Sequence, residues 1–191
     1  MNRREQLVEA ALRLFRRYGF RKTTVEEIAA EAGVGKGSVY LEFRSKEEIF
    51  FALVEEHERA ILAEVRQVAD SRRKLPQKLT EVALVRPLRN FDELQKLPEV
   101  FEVLAALRGR LADRIRPYHV QCEQLVGELI GEGCASGCFR VHDPAAAARA
   151  FYSAFDVAFV FTMQGMDRAT LEKTLRDLAN LLLTGLSGEG K

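Results

Sequence analysis

The sequence predicts an all-α protein of about nine helices, with a three-helix N-terminal head joined by a long fourth helix to a C-terminal helical body. Three observations carry this expectation. Apolar residues recur at spacings of three and four along nearly every periodic segment, as in helices with one buried face. No run of alternating β-branched residues marks a strand. Glycines stand where the periodic segments stop, at Gly19, Gly33, Gly133 and Gly137.

The first helix runs from about Arg3 to Tyr18, with Leu7, Ala11, Leu14, Phe15 and Tyr18 on one face and Gly19 as its stop. Thr24 and Glu27 have capping-box spacing, and Val25, Ile28, Ala29 and Ala32 follow as the apolar stripe of a second helix. Gly33 ends it, because positive φ costs glycine no Cβ penalty. A short third helix from Gly35 to Glu42 is anchored by Val39 and Phe43 and offers Lys36, Ser38 and Tyr40 as exposable polar groups. Gly35 and Gly37 each cost a helix about 1 kcal/mol relative to alanine, so propensity does not explain them. Close approach of the backbone to another surface does, and a DNA backbone or base edge is the natural candidate. Ser45 then caps a long fourth helix, Lys46 to about Asp70, with Glu48 completing a second capping box and Phe50, Leu53, Val54, His57, Ile61, Val65 and Val68 as its inner stripe. Two short helices around a glycine turn, followed by a capped helix, are the pattern of a helix-turn-helix.

Beyond the polar joint Ser71–Lys74, Pro76 suits the first turn of a fifth helix ending near Phe91, and Pro98 opens a sixth ending between Arg108 and Ala112. A seventh, from about Asp113 to Ser136, holds Pro117 either in its first turn or as a kink. After a glycine-punctuated loop, Asp143 caps and Pro144 opens an eighth helix reaching about Gln164. The ninth, about Asp167 to Leu186, carries Leu171, Leu175, Leu178 and Leu182. Helices eight and nine are apolar on more than one face, which predicts a homodimer built from two such pairs. The expected division is a DNA-binding domain over 1–47, a ligand-binding and dimerisation body over 48–186, and a flexible tail over 187–191.

Composition excludes several classes. The chain has 191 residues, 47% of them hydrophobic and 30% charged, and no apolar run approaches the ~20 residues that span a bilayer. The basic N-terminus is interrupted by acidic residues and reads as helix rather than leader, so a cytoplasmic protein without membrane contact is expected. Residues 1–47 hold ten Lys or Arg against seven acidic residues, and the remainder 19 against 21, which places the modest positive excess at one end. Cys122, Cys134 and Cys138 form no CxxC pair; buried thiols are the plainer reading and a redox or intersubunit disulfide the sharper one. His57, His119 and His142 assemble no hydrolase triad or HExxH motif, so no enzyme is expected. His119 and Cys122 at i, i+3 lack the further ligands zinc needs, so neither metal nor cofactor is expected.

At these residues the chain resembles the TetR family of bacterial transcriptional repressors. The segment TTVEEIAAEAGVGKGSVYLEFRSKEEIF, preceded by ALRLFRRYGF, agrees with the family pattern at Gly19, Phe20, Thr23, Thr24, Ile28, Ala29, Gly33, Val34, Lys36, Gly37, Tyr40, Phe43, Lys46 and Glu47. The resemblance implies that Lys36, Gly37 and Tyr40 lie in or beside a major groove, with Gly35 and Ser38 on the same short helix, while Lys46 and the helix start Thr23, Thr24 and Val25 hold phosphates. Gly35, Leu41 and Glu42 depart from the pattern. Glu42 is assigned either to cytosine N4 or, preferably, to a pair with Arg44 or Lys46.

The implied function is a ligand-responsive, DNA-binding regulator: a dimeric repressor on a pseudo-palindromic double-stranded operator, released by an apolar or amphipathic small-molecule effector. A helical small-molecule or lipid-binding protein without specific DNA binding is the alternative. Phe91, Phe101, Leu104, Arg108, Tyr118, Cys122, Phe151, Tyr152 and Phe155 are the candidate ligand-binding residues, with plain core as the competing reading. Arg108, Arg110, Arg114 and Arg116 form a cationic cluster, read as a solvated face in preference to a ligand anchor.

Overall fold

A computed structural model describes residues 2–97 and 99–187; the expected helix start at Pro98 and the expected tail over 187–191, apart from Ser187, which ends the last helix, lie outside the described residues. Among the described residues there are nine helices and no strand: α1 Arg3–Tyr18, α2 Val25–Glu31, α3 Lys36–Glu42, α4 Lys46–Ala69, α5 Leu75–Leu94, α6 Val100–Ala135, α7 Pro144–Ala154, α8 Val157–Met163 and α9 Arg168–Ser187.

Local chemistry sets the first helices. Asn2 and Glu5 form a capping box at α1, and Gly19 closes that helix at φ 84°. Thr24 and Glu27 form the box at α2. Its end is a Schellman motif: Gly33 N–H donates to the Ala30 carbonyl at 3.1 Å and Val34 N–H to the Ala29 carbonyl at 2.9 Å. Gly33 sits at φ 68°, a region an L side chain resists. Tyr18, expected on the inner face of α1, is instead 46% exposed with the Arg17 guanidinium over its ring.

Three expectations are corrected. The sixth and seventh helices are one, α6, with Pro117 inside it. A proline removes one N–H from the ladder, but packed residues on both sides, Leu111 and Cys122, hold the helix through it. The eighth helix is broken at Phe155 and Asp156 into α7 and α8, where N–H groups donate three residues back, Asp156 to Ser153 and Ala158 to Phe155, both at 3.1 Å. At α4, Ser45 Oγ accepts from Glu48 N–H at 3.3 Å, yet Glu48 does not complete the box. Its carboxylate accepts from Arg110 at 3.1 Å and Arg114 at 2.6 Å.

The described residues fall into two compact units, one within Met1–Arg59 and Glu93–Arg116, the other within Ala60–Asp92 and Pro117–Lys191. In the first, Leu7, Ala11, Phe15, Ile28, Val39, Phe43, Ile49 and Phe51 form a core joined by Val103 and Leu111 of α6. Phe20 packs its ring 5.3 Å from both Phe15 and Phe50. The second unit has its own core, including Ile61, Leu79, Val126, Ile130, Phe139, Leu171 and Leu175. Its loop after α6 turns at Gly137, φ 76°. Phe139 there packs against Gly133, and Arg140 N–H donates to the Leu186 carbonyl of α9 at 2.7 Å.

Candidate functional site

The first unit presents α3 as a short exposed helix on a closed scaffold. Val39 is 1% exposed and Phe43 3%, so this side is fixed to the core. On the outer side Tyr40 is 49% and Leu41 81% exposed. A Cβ added at Gly35 or Gly37 would meet nothing within 4 Å in the protein. Internal packing therefore does not demand these glycines, and both expose backbone where a partner can approach. Lys36 forms an ion pair with Glu26 of α2, and its ammonium lies 5.8 Å from the Tyr40 ring centroid. Ser38 is half-buried, its N–H donating to the Gly35 carbonyl at 2.9 Å.

Two expected phosphate-holding side chains are turned inward. Thr23 is 1% exposed and its hydroxyl donates to the Gly19 carbonyl at 2.9 Å. The Lys46 ammonium donates to the carbonyls of Phe20 and Thr23, both at 2.7 Å, and of Arg21 at 3.4 Å, and lies 4.5 Å from the Phe20 ring centroid. Burial holds it below the usual lysine range, against the opposing carboxylates of Glu47 and Glu27. Three donors spent on three carbonyls make Lys46 a brace for the turn entering α2 rather than a cation displayed outward. Thr24 is also occupied, its N–H donating to the Glu27 carboxylate at 2.7 Å and its hydroxyl accepting from Glu27 N–H at 3.2 Å. Val25 is half-buried at the first position of α2.

Among the described residues Glu42 forms no ion pair with Arg44 or Lys46, correcting that preference; its backbone carbonyl accepts from Arg4, whose guanidinium lies 4.2 Å from the Phe43 ring centroid. The arginine cluster is likewise not a plain solvated face. Arg114 bridges Glu48 at 2.6 Å and Glu55 at 2.9 Å, and Arg110 joins it over the Phe51 ring. These partners lie 59 to 66 positions apart in the chain, a spacing no local motif reveals.

The candidate ligand residues divide. Phe91, Tyr118, Cys122, Phe151, Tyr152 and Phe155 share the core of the second unit. Leu104 packs against the core of the first unit, while Phe101 and the exposed Arg108 lie in that unit outside its core. Within the second unit stands a polar group the sequence reading missed, Arg86, 7% exposed. Its Nε donates to the Tyr152 hydroxyl at 2.7 Å. Burial pushes the Tyr152 phenol well above its ordinary range, so it stays neutral, and pushes His119 down to about 4, with the Arg86 charge adding to the effect. An arginine inside the apolar run VALVRPL was the available signal. Cys122 is buried, as the plainer reading of the thiols has it, but Cys134 is half-buried and Cys138 exposed.

Comparison with known proteins places this geometry. Residues 7–53 match the model of bacterial regulatory proteins of the tetR family, and residues 76–178 match a tetracyclin repressor-like C-terminal domain. The chain is 30% identical over 160 residues to the HTH-type transcriptional regulator TtgR of Pseudomonas putida, covering 73% of this chain and 76% of that one. A transcriptional regulator from Cytophaga hutchinsonii superposes with a TM-score of 0.81 at 22% identity, over 96% of this chain and 97% of that one. FadR from Bacillus subtilis, solved in complex with stearoyl-CoA, gives 0.69 at 21% identity, over 95% and 98%. The chain spans only 18% to 35% of the length of the curated relatives it matches first. With one model covering the helix-turn-helix and a second covering more than half of the chain, the protein belongs to the TetR family.

Proposed function

We propose that this protein is a ligand-responsive, DNA-binding transcriptional regulator, and that it acts as a dimeric repressor on a pseudo-palindromic operator. The observation that carries the reading is α3. An anchored helix displays Gly35, Lys36, Gly37 and Tyr40 outward, with open space over both glycines. Two such helices related by a dyad match successive major grooves. The DNA-binding role is assigned to the helix-turn-helix within 1–47, and ligand binding and dimerisation to the helices that follow.

Phe159, Val160 and Met163 on α8 and Leu181 on α9 are large, apolar and 41% to 71% exposed, which supports pairing of these helices with a second copy. The effector is assigned to the second unit, among Phe91, Tyr118, Cys122, Phe151, Tyr152 and Phe155. That lining, and the stearoyl-CoA bound by the FadR neighbour, favour an apolar or amphipathic molecule. Binding there favours a dimer whose α3 helices no longer match the grooves.

The test is enrichment of duplexes from a random-sequence pool, followed by binding of the enriched duplex by Lys36→Ala and Tyr40→Ala. Both variants should lose it while sedimenting as the unmodified protein does. Failure to enrich any sequence, or undiminished binding by both variants, would overturn the reading.

A further inference from the structure

Lys36 and Tyr40 stand outward on α3 beside the two open glycines, and α2 brings a carboxylate to them. Glu26, the second residue of α2, reaches Lys36, the first residue of α3, and the two form an ion pair. Both side chains are more than half exposed, at 56% and 54%. Neither therefore needs the other to satisfy a buried charge, and the core does not require the pair. The same ammonium lies toward the Tyr40 ring, so Glu26, Lys36 and Tyr40 form one row on the exposed side of the helix-turn-helix. The bond to Lys36 holds the Glu26 carboxyl below its usual range, so the pair is fully ionised at neutral pH.

A carboxylate in this place has two physical consequences. It is a fixed negative charge where phosphates arrive, and it occupies the cation that would otherwise meet them. Non-specific DNA binding rests on phosphate neutralisation and counterion release, so it bears this cost without compensation. A complex on the correct sequence gains base contacts that depend on where Lys36 and Tyr40 point, and Glu26 holds the Lys36 side chain in one direction.

Resting on the DNA-binding reading above, we propose that Glu26 is a positioning residue that sets sequence discrimination: it engages Lys36 in the DNA-free protein, suppresses binding to arbitrary duplex, and orients Lys36 for the selected one. The partner chemistry is double-stranded DNA, and the residue acts through Lys36 rather than by touching a base.

The experiment measures binding of the full chain to two probes across a salt series, a mixed-sequence duplex and the duplex enriched from a random pool. Glu26→Gln keeps the shape and removes the charge. For the mixed-sequence duplex the slope of log affinity against log salt should steepen by about 0.9, which at 0.1 M salt corresponds to about eightfold tighter binding. The enriched duplex should gain less, so the ratio of the two affinities falls severalfold. Glu9→Gln, which removes an equal charge from the head at a residue paired with Arg13 rather than Lys36, should leave that ratio unchanged. In a Lys36→Ala background, Glu26→Gln should no longer steepen the salt slope for the mixed-sequence duplex.

An unchanged ratio in Glu26→Gln, an equal change in Glu9→Gln, or a Glu26 effect that persists without Lys36 would each overturn the proposal. Failure of the unmodified protein to enrich any duplex would instead sink the DNA-binding reading itself, so the two failures are distinguishable.

Discussion

The Lys46 ammonium at the start of α4 donates to the Thr23 carbonyl at 2.7 Å, joining two residues 23 positions apart. With the bonds to Phe20 and Arg21, this ties three carbonyls of the segment between α1 and α2 to the start of α4. Hydrogen bonds involving a charged group contribute about 1.5 to 3 kcal/mol, and removing the donor leaves three carbonyls, two of them part-buried, without that partner. Lys46→Met should lower stability in urea by about 2 kcal/mol. The salt slope for mixed-sequence DNA should be nearly unchanged, since the ammonium faces inward. A lost phosphate contact with full stability would show that Lys46 swings outward in the complex.

Gly37 separates folding from binding in the opposite way. A Cβ there meets no protein atom within 4 Å, and alanine is favoured over glycine inside a helix by about 1 kcal/mol. Gly37→Ala should therefore raise the unfolding midpoint slightly. If a DNA wall fills that open space, affinity for the enriched duplex should fall at least about tenfold, which is about 1.4 kcal/mol. Equal affinity in the alanine variant would mean that α3 meets DNA along another line of side chains.

These two residues show what was legible in the sequence and why. The scaffold of the helix-turn-helix is written in local code: a cap and its acid three residues on, a glycine at a helix end, an apolar stripe. Thr24 with Glu27 and Gly33 in its Schellman motif are readable for that reason. Which way Lys46 points in the DNA-free protein depends on carbonyls more than twenty residues away, whereas the phosphate contact is what the family resemblance implies. Local spacing points Glu48 back to Ser45, whereas Arg110 and Arg114 take its carboxylate from 62 and 66 positions along the chain. Pro117 reads locally as a helix start or kink because a proline's penalty is visible in sequence, whereas the burial of Leu111 and Cys122 to either side of it in α6 is not.

His119 gives the second unit a pH dependence of definite sign. Its folded value of about 4 lies below the ordinary 6.5, through burial first and the Arg86 charge second. The unfolded chain then binds the proton more tightly, so stability is complete above about pH 6.5 and falls as pH drops toward 4. With His119 half-buried and so partly screened by solvent, the loss over that window is on the order of 2 kcal/mol. His119→Gln should lose correspondingly less between pH 7 and pH 4.5 in urea titrations, since the carboxylates titrating in that range are common to both proteins. Parallel losses in the two proteins would place the protonation elsewhere.

Gly133 and Phe139 should behave as one unit. A Cβ on Gly133 would stand 2.0 Å from Phe139 Cδ2 and 2.5 Å from Cε2, and Phe139 is only 2% exposed, so the ring has to leave its site. Gly133→Ala should destabilise the protein by about 3 kcal/mol, near the upper end for overpacking. Phe139→Ala removes a buried aromatic and should cost about 3 to 5 kcal/mol. Once the ring is gone the methyl group at position 133 has nothing to strike, so the double variant should be no less stable than Phe139→Ala alone. Because Arg140 N–H reaches the Leu186 carbonyl from the same loop, amide exchange at Arg140 should accelerate in Gly133→Ala as the anchored turn is displaced. Simple additivity of the two substitutions would show that the loop accommodates the methyl group without moving Phe139.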